Sequence, residues 1–209
     1  LVPCILVFAV PLLMALEGLS ARQAFGCGFL GGLVAKAAQL YWLAYVMNIY
    51  GGVPLVLAAF NLLLLLAMQA SYWGMFAVLS RRQLGSRLAL LSLPGLWLVF
   101  ELVGSYLPFG GFPWGLAGQA LVKWPVLIQL AEFGGVYVLS GLVVVLNVAV
   151  YRVLRRDFKA LAPAAIVLIA VLAFGFWRLA GFEPDGAEFK VGLAQANVPQ
   201  DQKWLPEQV

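Results

Sequence analysis

Three ionisable side chains stand inside stretches that otherwise read as lipid-facing: Lys36, Glu101 and Glu132. A charge at the centre of a membrane helix costs roughly 2.5–3.5 kcal/mol on insertion scales, so such a residue must face a partner or a water-filled cleft. Two roles are open to Lys36, which has Gln39 three residues on. It pairs with Glu101 or Glu132, or it lines a cavity that receives a lipid head group. Glu101, in WLVFELVGSY, is a site residue by default. A buried carboxylate satisfied by Lys36 or by a serine reads the same way, and a lone carboxylate defines no reaction. Structure is therefore the favoured role for it.

No other residue set in the chain makes a reactive pair. Histidine is absent, which removes any Ser-His or Cys-His dyad. The two cysteines, Cys4 and Cys27, both lie in apolar runs and lack metal-ligand spacing. No metal site, cofactor site or catalytic residue is expected within these 209 residues. A second polar cluster lies at the end of the sequence, where Gln195, Asn197, Gln200 and Trp204 fall within VGLAQANVPQDQKW.

The elements that must position these groups follow from composition. Hydrophobic residues make up 64% of the chain and charged residues 11%, against about 25% charged in a soluble domain, and mean hydropathy is +0.97. No soluble surface can be built from that inventory. Six apolar segments can be drawn: 1–16, 24–47, 53–79, 88–107 (interrupted by Pro94 and Gly95), 125–151 and 160–179. The complete ones have the length, roughly 20 residues, that crosses a bilayer core. Backbone groups in lipid must pair within their own segment, so each is expected to be helical. The fold class is thus an all-α polytopic membrane helical bundle of about six helices over residues 1–180. The first segment is short, Leu1 begins inside it, and no charged leader precedes it. A piece of a longer chain is expected.

The net charge of +4 does not point to nucleic acid, because the cations sit in short loops between apolar runs. Arg22, Arg81, Arg82, Arg87, Arg152, Arg155, Arg156 and Lys159 occupy the first, third and fifth loops, whereas the second and fourth hold only Lys123. An eight-to-one split puts the odd loops in the cytoplasm and the stretch after residue 180 outside. That stretch changes character. Residues 181–188 (GFEPDGAE) form an acidic, turn-rich linker. Phe189, Val191 and Leu193 then alternate with Lys190, Gly192 and Ala194 as in a strand. Residues 189–209 therefore read as the first strand and loop of a water-soluble domain.

Within the bundle, Gly28 and Gly32 form a G-x-x-x-G pair that brings two helices close. Packing inside the bundle is favoured over dimerisation. FGGFPW over 109–114 combines permissive glycines with Pro113 and the interfacial Trp114. It reads as an aromatic-anchored turn or, alternatively, as the re-entrant wall of a lipid-binding cleft. Gln129, Glu132, Tyr137, Ser140 and Asn147 are expected to hydrogen-bond between helices.

Taken in order, AFGCGFLGG, Tyr41-Trp42, Tyr50-Gly51-Gly52, LWLVFE, GGFPW, PVLIQLAEFGGVYVLSGLVVVLN and VGLAQANVPQDQKW resemble the membrane half of the apolipoprotein N-acyltransferase family. The resemblance implies an inner-membrane bundle and a periplasmic carbon–nitrogen-hydrolase domain, an α-β-β-α nitrilase-like sandwich of which only the first strand falls here. It implies transfer of an acyl chain from a phospholipid donor to the amino group of a diacylglyceryl apolipoprotein, through a thioester on a Cys, with a Glu as base and a supporting Lys. That triad would lie beyond Val209, so this stretch alone is expected to be inactive. Trp204 matches a Trp near the family's active-site entrance, with Gln195, Asn197, Pro199 and Gln200 around it. Pro113 and Trp114 belong to the substrate-proximal GFPW stretch. Where the family often carries an Arg three residues after the helix-four Glu, this chain has Gly104. Two other classes remain as alternatives. One is a transporter or flippase with Lys36, Glu101 and Glu132 along a path, and the other is a membrane scaffold without chemistry.

Overall fold

The computed structural model describes residues 2–108, 110–181, 190–195 and 197–198. These form eight α-helices: α1 Val10–Ala15, α2 Ala21–Leu40, α3 Trp42–Ile49, α4 Leu55–Ser80, α5 Ala89–Tyr106, α6 Pro125–Ile128, α7 Gly135–Leu154 and α8 Leu161–Ala180. A 3-10 turn over Val2–Leu6 leads into α1, and another over Gln129–Phe133 follows α6.

Among the described residues, four helices are long and apolar enough to cross a membrane: Leu55–Ser80, Ala89–Tyr106, Gly135–Leu154 and Phe158–Ala180. A fifth span results if α2 and α3, bent by 48° at Tyr41, count as one. The sequence reading of about six is therefore corrected to four or five. The opening segment yields only the short apolar helix Cys4–Ala15.

Other boundaries shift for local reasons. The expected helix over 24–47 starts earlier, because Ser20 and Gln23 form a reciprocal capping box at its first turn. It then breaks at Tyr41, where the Trp42 indole N–H donates to the Gln39 carbonyl and satisfies one end of α2. The expected helix over 125–151 is interrupted at Gly134 and Gly135, and Gly135 adopts a left-handed φ of +64°. Pro94, by contrast, does not interrupt its helix. It sits inside α5 near the start, where one missing N–H leaves a local defect rather than a break. Residues 190–195 form no strand. A strand needs a second chain segment for its ladder. None lies beside these residues among those described, and Leu193 is 96% exposed.

Close backbone approach organises the bundle. A Cβ built on Gly28 would lie 2.5 Å from the Trp73 carbonyl oxygen and 2.6 Å from Ala77 Cβ. One built on Gly32 would meet Trp73 Cβ at 2.7 Å and Ala70 Cα at 3.2 Å. The G-x-x-x-G pair thus packs α2 against α4 within the chain. Asn147 does the same work for α1 and α7. Its Oδ1 accepts from Ala9 N at 2.9 Å, and its Nδ2 donates to the carbonyls of Ile5 and Val143 at 2.9 Å each. Ser140 Oγ accepts from Gly118 N at 2.8 Å. Gln129 instead bonds within its own turn, to the Pro125 carbonyl. At the basic end, Arg152 donates to the carbonyls of Leu84 and Ser86, and Arg155 pairs with Glu17 at 2.8 Å. The loops there are stitched together by the cations that the sequence concentrates in them.

Candidate functional site

The antiparallel register of α2 and α4, set by Gly28 and Gly32, places Lys36 one turn further on at the level of Leu66 to Gln69. Opposite them stands α5. Between the three helices and the connection over residues 112–120 lies a cavity of about 880 Å³. Its walls are graded. Lys36, Gln39, Gln69, Glu101 and Gln119 make a polar belt toward the 112–120 connection, and Trp73, Phe76, Trp97 and Phe8 make an aromatic floor beneath.

The belt is built around one stretch of backbone. Lys36 Nζ donates to the carbonyls of Trp114 at 3.3 Å and Gly115 at 3.1 Å. Glu101 Oε1 accepts from Ala117 N at 2.8 Å. Two charged groups from different helices therefore hold the strap over residues 112–117, each through charge-assisted hydrogen bonds. Gly115 has φ +72°, and a Cβ there would run into the Gln39 side-chain oxygen. The angle favours glycine, and any Cβ would oblige the Gln39 side chain to move. Trp114 extends from the strap and stacks on Trp42 of α3, with ring centroids 5.2 Å apart and planes at 20°. Phe112 packs beside it at 5.4 Å.

These contacts correct two sequence expectations. Lys36 forms no ion pair with Glu101 or with Glu132; its hydrogen bonds go to backbone carbonyls instead. Glu132 lies elsewhere, 2.8 Å from Arg178 at the end of α8, beside a separate hollow of about 510 Å³. Glu101 Oε1 is bonded by a backbone amide, and neither Lys36 nor a serine donates to the carboxylate. Ser105 bonds only to the Glu101 backbone carbonyl.

Three residues that line the cavity keep a polar atom without a partner. Glu101 Oε2, Gln69 Nε2 and the Trp97 indole N–H are buried without a protein partner. A buried polar atom without a partner costs free energy.

Residues 1–149 match the family described as "Apolipoprotein N-acyltransferase N-terminal domain". The chain belongs to the apolipoprotein N-acyltransferase family. An apolipoprotein N-acyltransferase of Geobacter metallireducens is 38% identical over 207 residues, covering 94% of this chain and 39% of the relative. One from Vibrio vulnificus is 31% identical, with the same coverage. One from Rickettsia bellii is 25% identical over 217 residues, covering all of this chain and 42% of the relative. The chain thus spans about two fifths of the length of these relatives.

The N-acyltransferase-like sequence features distribute unevenly over the site. Lys36, Glu101 and Trp114 come together at the belt and strap. Pro113 is exposed on the strap and does not line the cavity. Gln195 and Asn197 are exposed, Asn197 with a left-handed φ of +52°. Gln200 and Trp204 lie outside the described residues. At Gly104, the position where the family often carries an Arg, a Cβ would meet the Tyr72 ring at 3.2 Å. Tyr72, whose hydroxyl donates to the Leu107 carbonyl at 2.8 Å, fills that space. The sequence reading missed Gln69, Tyr72, Trp73, Phe76 and Trp97. Gln69, Trp73 and Phe76 recur at helical spacing and form one face of α4. The single Gln in LLLLLAMQASYW was the available signal for that face.

Proposed function

We propose that this chain is the membrane half of an enzyme that transfers an acyl chain from a phospholipid to the N-terminal amine of diacylglyceryl apolipoprotein. The observation that carries the reading is the cavity: a polar belt over an aromatic floor, inside a bundle of membrane-length helices, matches an amphiphile. Family membership supplies the reaction class.

In this reading residues 1–180 are the bundle, 181–188 a linker and 189–209 the beginning of a carbon–nitrogen-hydrolase domain. The strand expected over 189–196 would form once the rest of that domain supplies a neighbour. The catalytic Glu, Lys and Cys belong to that domain. A base-activated thiolate splits a difficult transfer into two easier steps, and a Lys stabilises the developing oxyanion. The bundle's part is to hold donor lipid below that site. The eight-to-one distribution of loop cations supports an inner-membrane orientation with the 107–124 connection and the residues after 180 on the periplasmic side.

The deciding experiment uses the full-length protein in proteoliposomes with a diacylglyceryl-cysteinyl peptide. Formation of an N-acylated peptide at the expense of phospholipid is expected. Movement of labelled lipid between leaflets without acylation would instead favour the transporter reading.

A further inference from the structure

We propose that Trp97 is the stop that sets how long an acyl chain the cavity accepts. The inference rests on the acyl-transfer reading and adds a specificity-determining residue to it.

Trp97 is held on three sides. Phe76 approaches its ring at 5.0 Å, Trp73 at 5.1 Å and Phe8 at 5.2 Å, with interplanar angles of 84°, 74° and 75°. Edge-to-face packing on three sides restrains the indole, so it acts as a rigid stop rather than a movable plug. Beneath it the protein is closed. Leu93, one turn down α5, is 0% exposed, as are Ala89, Val144 and Val148 of the same core. None of these four residues lines the cavity.

Trp97 is 5% exposed and lines the cavity, so a lipid chain reaches it only from inside. It lies nine positions before Tyr106, the last residue of α5. At 1.5 Å per residue the stop is about 13 Å below the end of that helix. Lys36 and Glu101 each bond the strap, and the cavity lies between the strap and the rings below it. A chain entering past the belt therefore meets apolar rings and then a fixed end. A carbon beyond that end must displace packed aromatic side chains, and a methylene that a pocket fits or rejects changes selectivity on the order of tenfold or more.

The test combines selectivity with a direct contact measurement in the full-length protein. Acyl transfer is followed with saturated diacyl phosphatidylglycerols of increasing chain length. In Trp97→Val the fall-off is expected at longer chains, with the ratio of long-chain to short-chain transfer raised on the order of tenfold. An unchanged length profile overturns the proposal. Independently, tryptophan emission is recorded with lipids brominated near the methyl end or near the carboxyl end. Methyl-end bromine is expected to quench an emission component that Trp97→Phe lacks, while carboxyl-end bromine spares it. If Trp97→Phe loses no quenchable component, the stop is elsewhere. If Trp97→Val does not fold, the unmutated protein and Trp97→Phe still decide the point by quenching. Quenching of Trp97 in a protein that shows no acyl transfer would sink the acyltransferase reading while leaving the cavity a chain-binding site that ends at Trp97.

Discussion

Lys36 Nζ reaches across 79 positions of sequence to donate to the Gly115 carbonyl at 3.1 Å, and it takes the adjacent Trp114 carbonyl as well. A lysine that is 6% exposed inside a helix of the bundle thus places its hydrogen bonds on backbone carbonyls rather than on a carboxylate. Lys36→Met should keep the length of the side chain and remove the donors, leaving two carbonyls short of partners. Such a loss costs about 1–3 kcal/mol. The full-length protein in detergent is expected to melt at lower temperature, and Trp114 emission should shift as the strap leaves Trp42. Lys36→Gln, which retains donors, should recover part of the stability. Equal melting of Lys36→Met and the unmutated protein would mean that the strap is held by other contacts.

Gly28 and Gly32 give a sharper contrast because their neighbours in the same helix serve as controls. Any side chain at either position drives into the backbone or Cβ atoms of α4, whereas Gly26 and Gly31 have nothing within 4 Å of an added Cβ. Overpacking costs typically 1–3 kcal/mol and rises with side-chain size. Gly28→Val and Gly32→Val should lower the yield of folded protein and its melting temperature. Gly26→Ala and Gly31→Ala should be neutral or slightly stabilising, since Ala is the better helix former. Four variants with the same melting temperature would remove the α2–α4 contact from the account of the fold.

The contrast between what the sequence shows and what it hides has a physical basis. The spans of α4, α5, α7 and α8 are legible because lipid demands long apolar runs, and Gly28, Gly32, Ser140 and Asn147 are legible because small or polar residues in such runs rarely face lipid. The break at Tyr41 is not, since Trp42 capping the Gln39 carbonyl leaves the apolar run unbroken. The partner of Lys36 is also hidden: charge pairing suggests Glu101, but backbone carbonyls can do the same work and carry no sequence signature. The aromatic floor is hidden for a related reason. Trp73, Phe76 and Trp97 look like any other lipid-compatible residues until the helices are packed and leave a space above them.

Asn147 makes a third case, in which one side chain secures a whole element. Its amide bonds both Ala9 N and the Ile5 carbonyl, and these ties fix the chain before α2 against α7. Asn147→Leu fills the volume but leaves a backbone N–H without its acceptor at a residue that is 0% exposed. The expected cost is about 1–3 kcal/mol, concentrated at one place. Hydrogen exchange should speed up over residues 5–15 and change little in α4. Uniform acceleration across all helices would indicate global loosening instead of release of one tether.

The docking of α8 sets two interactions against each other. Arg178 and Glu132 are 2.8 Å apart, yet their side chains are 42% and 51% exposed, and pairs of that exposure contribute about 0–1 kcal/mol. One turn earlier, Gly175 is buried, and a Cβ there would overlap the Val126 carbonyl. That contact admits no side chain, so substitution must push α8 away from α6. Gly175→Leu should therefore cost more than Arg178→Ala, with overpacking in the range of about 1–3 kcal/mol. A disulfide cross-link engineered between α8 and residues 125–133 should form readily in Arg178→Ala and poorly in Gly175→Leu. The reverse order would show that the ion pair, and not the close approach at Gly175, holds α8 in place.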